Sequence, residues 1–424
     1  MAGLAYSVFP SQAPLLFMQL AGYFTAIFLL SYFFFKIGKR IFAFFILLLA
    51  WHPYNIFLQG MVIKDVALMV LWINIFALSL HSTLIRHKSI RFIILLVNIA
   101  LMLTGILIRD NSFTAAPPLL FLILYGYDAD LINSRSFTAR TFMFLFTIIL
   151  AFFFMKGLNS LLLPSDIGNR NYKKSYFVHQ LCKYDLIGMS VLNGHKGVTA
   201  VLDEKDRHEI EYYYDTLPIY WYWKNAKYIE GKLFKKGFDF LSAWKKSVIQ
   251  DPFLYMRHRF YIFMKTFGGN PFYHLMWVRQ AAQGAFRNML TINGKSPDLF
   301  YTPKTHEDNF VFHTISAYVE QNFVWVGSSF IYALLGILML VHGFYILHIK
   351  KYLSPMINMI KYLNFAALLY YIPYLLFISQ PETRYVYPAI VLIILSIPFY
   401  LAFYPVPSKR TSAIQPFYMA KFTQ

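Results

Sequence analysis

The chain has 424 residues, of which 58% are hydrophobic and only 14% are charged, and its mean hydropathy is +0.47. This apolar content exceeds that of soluble globular proteins and predicts several helices of bilayer length, so we interpret the chain as a polytopic membrane protein. The formal net charge of +19 would suggest a nucleic-acid partner in a soluble domain, but much of the Lys and Arg lies in short loops between apolar runs, where it orients spans. Nucleic acid is therefore excluded as a partner. The single cysteine, Cys182, excludes an intrachain disulfide.

Nine apolar runs of spanning length are separated by short polar loops, with one longer insertion after the sixth run. The second to fifth runs are interrupted or short, so their limits are the least well defined. The chain divides into an N-terminal membrane bundle of about six spans at 1–163, an extracytoplasmic domain at 164–323, and a C-terminal bundle of about three spans with a short cytoplasmic tail at 324–424. The nine runs cover 14–35, 41–62, 65–82, 92–108, 115–132, 141–163, 324–347, 357–379 and 386–405.

Lys and Arg residues collect in the segments that follow the first, third, fifth, seventh and ninth runs. By the positive-inside rule these five segments are cytoplasmic, which places the N-terminus outside. The alternate short loops hold one cation each, namely Lys64, Arg109 and Arg384. The pattern predicts nine crossings, and it puts these three cations and the insertion on the external side.

The external insertion mixes charges, Gly and Pro turns and many aromatic residues, which indicates a folded domain and not a linker. Asp251-Pro252 predicts the N-cap and first turn of a helix, and Gly268-Gly269 predicts its end. Between these limits Arg257, Arg259 and Lys265 interleave with apolar and aromatic residues, which favours a helix lying on the membrane surface. The predicted fold is thus an all-α polytopic membrane protein of about nine transmembrane helices with a mixed, mainly helical extracytoplasmic domain.

Two polar clusters, Lys64-Asp65 and Arg109-Asp110-Asn111, lie at the external ends of apolar runs. A charge in such a place usually faces a protein interior or a water-filled cavity where it serves function, so we interpret the two clusters as one site. Simpler explanations stay open: Lys64 can snorkel while Asp65 caps the next helix, and Arg109 can pair with Asp110. The break at Pro117-Pro118, just after the second cluster, favours a cavity-lining segment.

The chemistry of this site points to a lipid whose polar head is presented outside, because the cytoplasmic loops are too short to form a domain for a nucleotide-bound substrate. A phosphate head needs guanidinium and ammonium groups in a partly desolvated cleft, and group transfer to a hydroxyl needs a carboxylate that accepts or orients its proton. No His-rich metal cluster is visible in the sequence. The candidates are Lys64, Arg109 and Arg384 for the donor phosphate, Asp110 and Asp65 for catalysis, and Asn111, Asp185, Glu382 and Tyr385 for acceptor binding or support.

Five short motifs follow one another over about residues 10–390, all on the predicted external side. They are Ile63-Lys64-Asp65-Val66; Ile108-Arg109-Asp110-Asn111-Ser112 with Pro117-Pro118; Lys183-Tyr184-Asp185-Leu186 with Ser190; Trp244 with the stretch 251–259; and Glu382-Thr383-Arg384-Tyr385-Val386-Tyr387-Pro388. In this order they resemble the GT-C superfamily of polytopic glycosyltransferases. Within it, the chain is most similar to the bacterial branch allied to O-antigen-modifying and dolichyl-phosphate-mannose-protein-type enzymes.

The resemblance implies a sugar carried on polyprenyl phosphate and passed, with inversion, to a glycan or lipid acceptor at the outer face of a bacterial cytoplasmic (inner) membrane. It leaves a divalent metal open, because the family contains metal-dependent and metal-independent members. It also implies a catalytic acid in the first external loop, but Val8-Phe9-Pro10-Ser11-Gln12-Ala13-Pro14-Leu15 holds prolines and no acid. A chain that lacks its natural first helix and acid-bearing loop would explain this departure and the external N-terminus, and it could be inactive. Alternatively, Asp65 or Asp110 takes over the role.

Two other functions fit the same topology. An O-antigen polymerase or ligase also combines many spans with one large external loop, and it would rely on external arginines more than on a carboxylate. A lipid-linked glycan flippase or transporter predicts inverted repeats with broken helices at corresponding positions of two halves. No such symmetry is visible in the sequence.

Overall fold

The structure of the chain is a computed structural model that describes residues 13–52, 55, 64–162, 170–216, 231–234, 238–268, 328–348, 355–377 and 386–403. Helices dominate these residues, and no strand occurs among them. The chain forms two compact units. The first, here called the membrane unit, comprises Met1–Gly157, Phe272–Tyr370 and Arg384–Gln424, and the second, the inserted unit, comprises Leu158–Pro271 and Tyr371–Thr383.

Each of the nine apolar runs contains at least one helix among the described residues, and the run 115–132 contains two. In chain order the helices are α1 Ala13–Lys36, α2 Arg40–Ala50, α3 Lys64–Ser82, α4 Lys88–Ile108, α5 Ala116–Tyr127, α6 Ala129–Asn133, α7 Phe137–Leu162, α8 Arg170–Leu192, α9 Glu204–Thr216, α10 Phe240–Gln250, α11 Pro252–Gly268, α12 Ser329–His348, α13 Pro355–Phe377 and α14 Tyr387–Phe403. Two 3₁₀ segments, Asp110–Ala115 and Val198–Val201, stand between them.

Four helices, α1, α3, α4 and α12, are long and apolar enough to cross a bilayer by length and composition. Helix α2 has 11 residues and α5 has 12, whereas a perpendicular span needs about 20. The described part of the chain therefore indicates a helical membrane protein. The figure of nine crossings stays a prediction, since the helices described in the runs 41–62 and 115–132 are shorter than a span.

The membrane unit has apolar residues on both its inside and its outside. Helix α3 packs against α1, α4, α5 and α14, and it buries residues on all of its faces, with Trp72 and Phe76 at its centre. The peripheral helices expose large apolar side chains, for example Phe28 on α1, Ile93 on α4 and Val341 on α12. Since water would disfavour such a surface, it is suited to lipid.

Contacts between helix ends show that neighbouring helices of the membrane unit alternate in direction. At one end, here called the Lys39 end, Lys39 Nζ donates to Ala402 O and Arg91 lies over the ring of Tyr127. At the opposite end, here called the Asp65 end, Tyr387 OH donates to Asn55 Oδ1 at 3.2 Å, and Phe113 contacts Phe152. The loop charges predict the same alternation of helix directions. Which end is cytoplasmic stays a prediction.

The inserted unit is held by a small apolar core and by capped helices. Ile187, Leu202, Ile210, Leu233 and Phe234 form the core. Asp239 caps α10 by accepting from two backbone N–H groups, and Asp251 Oδ1 accepts from Leu254 N at 2.8 Å at the start of α11. The helix predicted to begin at Asp251-Pro252 is therefore confirmed, with the predicted cap.

Helix α11 turns its polar side inward and its apolar side outward. His258, Arg259 and Ile262 are fully buried, whereas Phe253 is 85% exposed. Met256, Phe260 and Met264 continue the exposed stripe at helical spacing. Arg259 was expected among the surface cations of this helix, and it is instead inside the unit, where Asp185 supplies a counter-charge.

Candidate functional site

The two polar clusters singled out in the sequence meet at the Asp65 end of the membrane unit. Arg109 Nε lies 2.9 Å from Asp65 Oδ1, and the two side chains are only 10% and 3% exposed. Asp65 is the second residue of α3, and Arg109 directly follows α4. Asp65 and Arg109 lie 44 positions apart in the sequence, and their buried ion pair joins the two clusters.

The end of α4 explains how Arg109 reaches this place. Arg109 leaves the helix with extended backbone angles, while its N–H still donates to Gly105 O. Ser112 Oγ donates to the same carbonyl at 3.0 Å, which folds the following 3₁₀ segment back against the helix end. Pro117 and Pro118 then stand in the first turn of α5, where a proline costs no helical hydrogen bond.

Close packing of α4 against α3 keeps the ion pair in register. A Cβ at Gly105 would lie 3.0 Å from Leu68 Cδ1 and 3.5 Å from Trp72 Nε1, so the glycine allows the two helices to approach. Burial makes the pair depend on both partners, because removing one leaves a desolvated charge at a cost of about 3–5 kcal/mol.

The other predicted site residues divide between described and undescribed parts of the chain. Lys64, at the first position of α3, is exposed beside Asp65, and Asn111 is half-buried. Asp110 is the first residue of the 3₁₀ segment, and its side chain lies outside the described residues. Arg384, Glu382 and Tyr385 also lie outside the described residues.

Asp185 is placed in a fully buried network of the inserted unit. Its Oδ2 accepts from Trp244 Nε1 at 2.7 Å and from Arg259 Nη2 at 2.6 Å, and its Oδ1 lies 3.1 Å from His258 Nε2. Asp185, His258 and Arg259 have no exposed side-chain surface. Asp185 was a candidate for acceptor binding or for support of the site. Its buried position favours a structural, supporting role.

The protonation of His258 follows from its two partners. A carboxylate only accepts, so Nε2 carries the proton, and Nδ1 then accepts from Tyr214 OH at 2.9 Å. Burial lowers the pKa of His258, and its hydrogen bond to Asp185 opposes this by a smaller amount. A Cβ at Gly188 would come within 2.1 Å of His258 Cε1, so the glycine provides the space that the imidazole occupies.

Ser190, which the motif pattern pairs with Asp185, belongs to a second polar cluster at the end of α8. Its Oγ accepts from Thr199 N at 3.1 Å and contacts Thr199 Oγ1. His195 bridges the cluster to Glu211, with 2.9 Å between Nε2 and Oε1. His195 has a φ of 61°, in the left-handed region that few side chains adopt. Thr199 is completely buried, so the cluster stabilises the turn after α8.

Several partners in these networks were not singled out by sequence reasoning. Tyr214 belongs to the run Tyr212-Tyr213-Tyr214, which the sequence leaves open as a strand, an interfacial belt or a sugar-stacking surface, and the structure places it on α9. Trp244 and His258 were named only as parts of resembling motifs, and Arg259 was expected as a surface cation. Their contact with Asp185 had no local signal in the sequence, because these three residues and Asp185 lie on three different helices.

No group of three or more His, Cys, Asp or Glu side chains among the described residues is arranged to hold a metal ion. In addition, Arg109 already neutralises Asp65. The described part of the Asp65 end therefore does not itself form a cation site.

No protein-family model, curated protein or solved structure matches the chain significantly. Its likeness to the GT-C superfamily thus depends on the order of the sequence motifs.

Proposed function

We propose that the protein is a membrane glycosyltransferase that moves a sugar from a polyprenyl-phosphate donor to a glycan or lipid acceptor, at the outer face of a bacterial cytoplasmic membrane. The observation that supports it is the buried ion pair between Asp65 and Arg109 at one end of two apolar helices. A desolvated guanidinium is well suited to a phosphate oxyanion, because its planar fork can donate two hydrogen bonds to it.

The predicted residues take separate roles in this proposal. Arg109, with exposed Lys64 beside its partner, binds the donor phosphate. Asp65 is a positioning residue that orients the guanidinium. Asp110, next to Arg109 in the chain, is the candidate proton acceptor, and Arg384 is a further phosphate ligand by the motif pattern.

In the proposed step, the acceptor hydroxyl gives its proton to Asp110 while its oxygen attacks the anomeric carbon of the sugar. The bond from that carbon to the phosphate oxygen breaks, and the polyprenyl phosphate leaves with the electron pair. Arg109 and Lys64 stabilise the negative charge that develops on the leaving phosphate. Attack opposite to the leaving group inverts the anomeric centre.

The test is sugar transfer in proteoliposomes from a synthetic polyprenyl-phosphate sugar, comparing Asp110→Asn, Asp65→Asn and Arg109→Gln with wild type. We expect Asp110→Asn to lower the rate by about 10²–10⁴-fold with little change in donor affinity, as for loss of a general base. Arg109→Gln and Asp65→Asn should weaken donor binding. Asp130→Asn, an exposed carboxylate of α6, is the matched control and should keep full activity.

Other outcomes separate the alternatives. Full activity of both Asp65→Asn and Asp110→Asn would contradict the assignment. Loss of activity only when external arginines are replaced would indicate a polymerase or ligase. Movement of labelled lipid across the bilayer without a new glycosidic bond would indicate a flippase.

A further inference from the structure

Two cations, Arg140 and Lys361, are neighbours inside the membrane unit near its Lys39 end. Arg140 is the fourth residue of α7, and Lys361 is the seventh of α13. The two side chains are close enough for their charges to repel each other. Lys361 is nevertheless buried, with 8% of its surface exposed.

Helix packing holds the two cations together. Phe144 of α7 stacks on Phe365 of α13 with 5.8 Å between ring centroids, and Asn358 Nδ2 donates to Tyr125 OH at 2.9 Å. Phe144 lies one turn after Arg140 on α7, and Asn358 lies one turn before Lys361 on α13. The cations are thus presented by two packed helices, α7 and α13, and do not depend on a loop.

Aromatic rings line one side of this pair. Lys361 Nζ lies 4.6 Å from the ring centroid of Tyr362 and 5.0 Å from that of Phe344. Arg140 hydrogen-bonds the Tyr362 side chain. The rings stabilise positive charge through their faces, but they do not neutralise it.

No carboxylate of the described residues forms an ion pair with Arg140 or Lys361. Arg140 Nε is buried and has no hydrogen-bond partner. Arg109 and Arg259, the buried arginines of the described residues, are each paired with an aspartate. A buried lysine beside a half-buried arginine that repels it is costly unless an anion joins the two cations.

We infer that Arg140 and Lys361 form a binding site for the phosphate group of an anionic ligand. The guanidinium offers a planar fork and the ammonium a point charge, which together match a phosphate. Lys361 lies about 9 Å from the start of α13 along the helix axis, a depth that a phospholipid head group reaches. Exposed Phe142 and Phe344 flank the cations with surface suited to acyl chains.

The inference is independent of the proposed glycosyltransferase activity, because this site is at the opposite end of the membrane unit from Asp65 and Arg109. A phospholipid head group and a soluble phosphate offer the same chemistry to the two cations. The experiment therefore uses both as probes.

The full chain, purified in detergent, is titrated with phosphatidylglycerol or inorganic phosphate and analysed by native mass spectrometry. Arg140→Gln and Lys361→Met should each weaken binding of the responding probe by about 10-fold or more, since each removes a charge-assisted contact. Arg135→Gln, an exposed cation of the same end, should bind as wild type does. Lys361→Arg keeps the charge and should retain binding.

Variant-dependent binding of phosphatidylglycerol identifies a lipid head group, and variant-dependent binding of phosphate identifies a soluble ligand. Either result supports the site. Equal affinity of wild type, Arg140→Gln and Lys361→Met for both probes overturns it. If Lys361→Met does not fold, as judged by its thermal unfolding, Arg140→Gln and Lys361→Arg decide: the first must lose binding and the second must keep it.

Discussion

At the scale of single residues, the chain uses buried aspartates to neutralise buried arginines. Asp65 pairs with Arg109 in the membrane unit, and Asp185 pairs with Arg259 in the inserted unit. The environments differ in one respect. Asp185 also contacts a buried imidazole and accepts from an indole N–H, so its carboxylate is surrounded on both oxygens.

Replacement of Asp185 by Asn tests this role. The variant keeps the shape of the side chain but leaves Arg259 buried without a counter-charge, which should lower the free energy of unfolding by about 3–5 kcal/mol. Asp203→Asn is the matched control, because Asp203 pairs with Lys232 at the surface with its own side chain 61% exposed, and such pairs contribute about 0–1 kcal/mol. Thermal unfolding and limited proteolysis of the full chain measure both. Equal stability of the two variants would exclude Asp185 as the organiser of the inserted unit.

At the scale of elements, α11 shows that amphipathicity alone does not tell which face of a helix is buried. Its polar residues His258 and Arg259 are inside because partners on α8, α9 and α11 satisfy them. Its apolar stripe, which begins at Phe253, is outside. A helix with this arrangement is stable where the surroundings are apolar, and exposed Arg257 beside the stripe can reach lipid phosphates.

We therefore expect the outer stripe of α11 to contact the interface of a phospholipid bilayer. A spin label at Phe260→Cys, in a Cys182→Ser background and in phosphatidylglycerol-containing vesicles, should be accessible to oxygen and protected from a water-soluble nickel chelate. A label at Lys205→Cys, an exposed polar position of α9, should show the reverse. If Phe260→Cys is as accessible to nickel as Lys205→Cys, the stripe faces water. Protection from both reagents would indicate a protein surface in place of lipid.

At the scale of the whole molecule, sidedness is the property on which the proposed chemistry depends. The loop charges predict that the Lys39 end is cytoplasmic and that the domain expected at 164–323 is external. Cys182 does not report on this, because it is 2% exposed and burial raises the pKa of its thiol to about 11. Engineered cysteines at exposed positions are required.

In a Cys182→Ser background, Lys196→Cys should react with a membrane-impermeant maleimide in intact cells, because Lys196 is an exposed residue of the inserted unit. Lys88→Cys, at the exposed start of α4, should react only after permeabilisation. Mass-shift labelling followed by gel electrophoresis measures both. The opposite pattern would place Asp65 and Arg109 at the cytoplasmic face, which would remove the basis for transfer from an external lipid-linked sugar.

The sequence by itself determined where the helices lie, because hydrophobic runs and turn residues are local properties. It located a helix in each of nine runs, the capped helix that begins at Pro252, and two polar clusters at helix ends. It did not determine the short extents of α2 and α5. Hydrophobicity continues past Ala50, and where a helix stops also depends on packing and backbone partners.

Only the tertiary structure decided which charges meet. Arg109 has Asp110 beside it in the sequence, yet its described ion pair is with Asp65 on another helix. Arg259 looked like a surface cation until Asp185, 74 positions earlier, supplied its counter-charge. Arg140 was counted in the sequence only among the cations that orient the spans, and nothing there linked it to Lys361. The physical reason is that electrostatic free energy depends on distance and burial in space, and neither quantity is encoded in the neighbourhood of a residue along the chain.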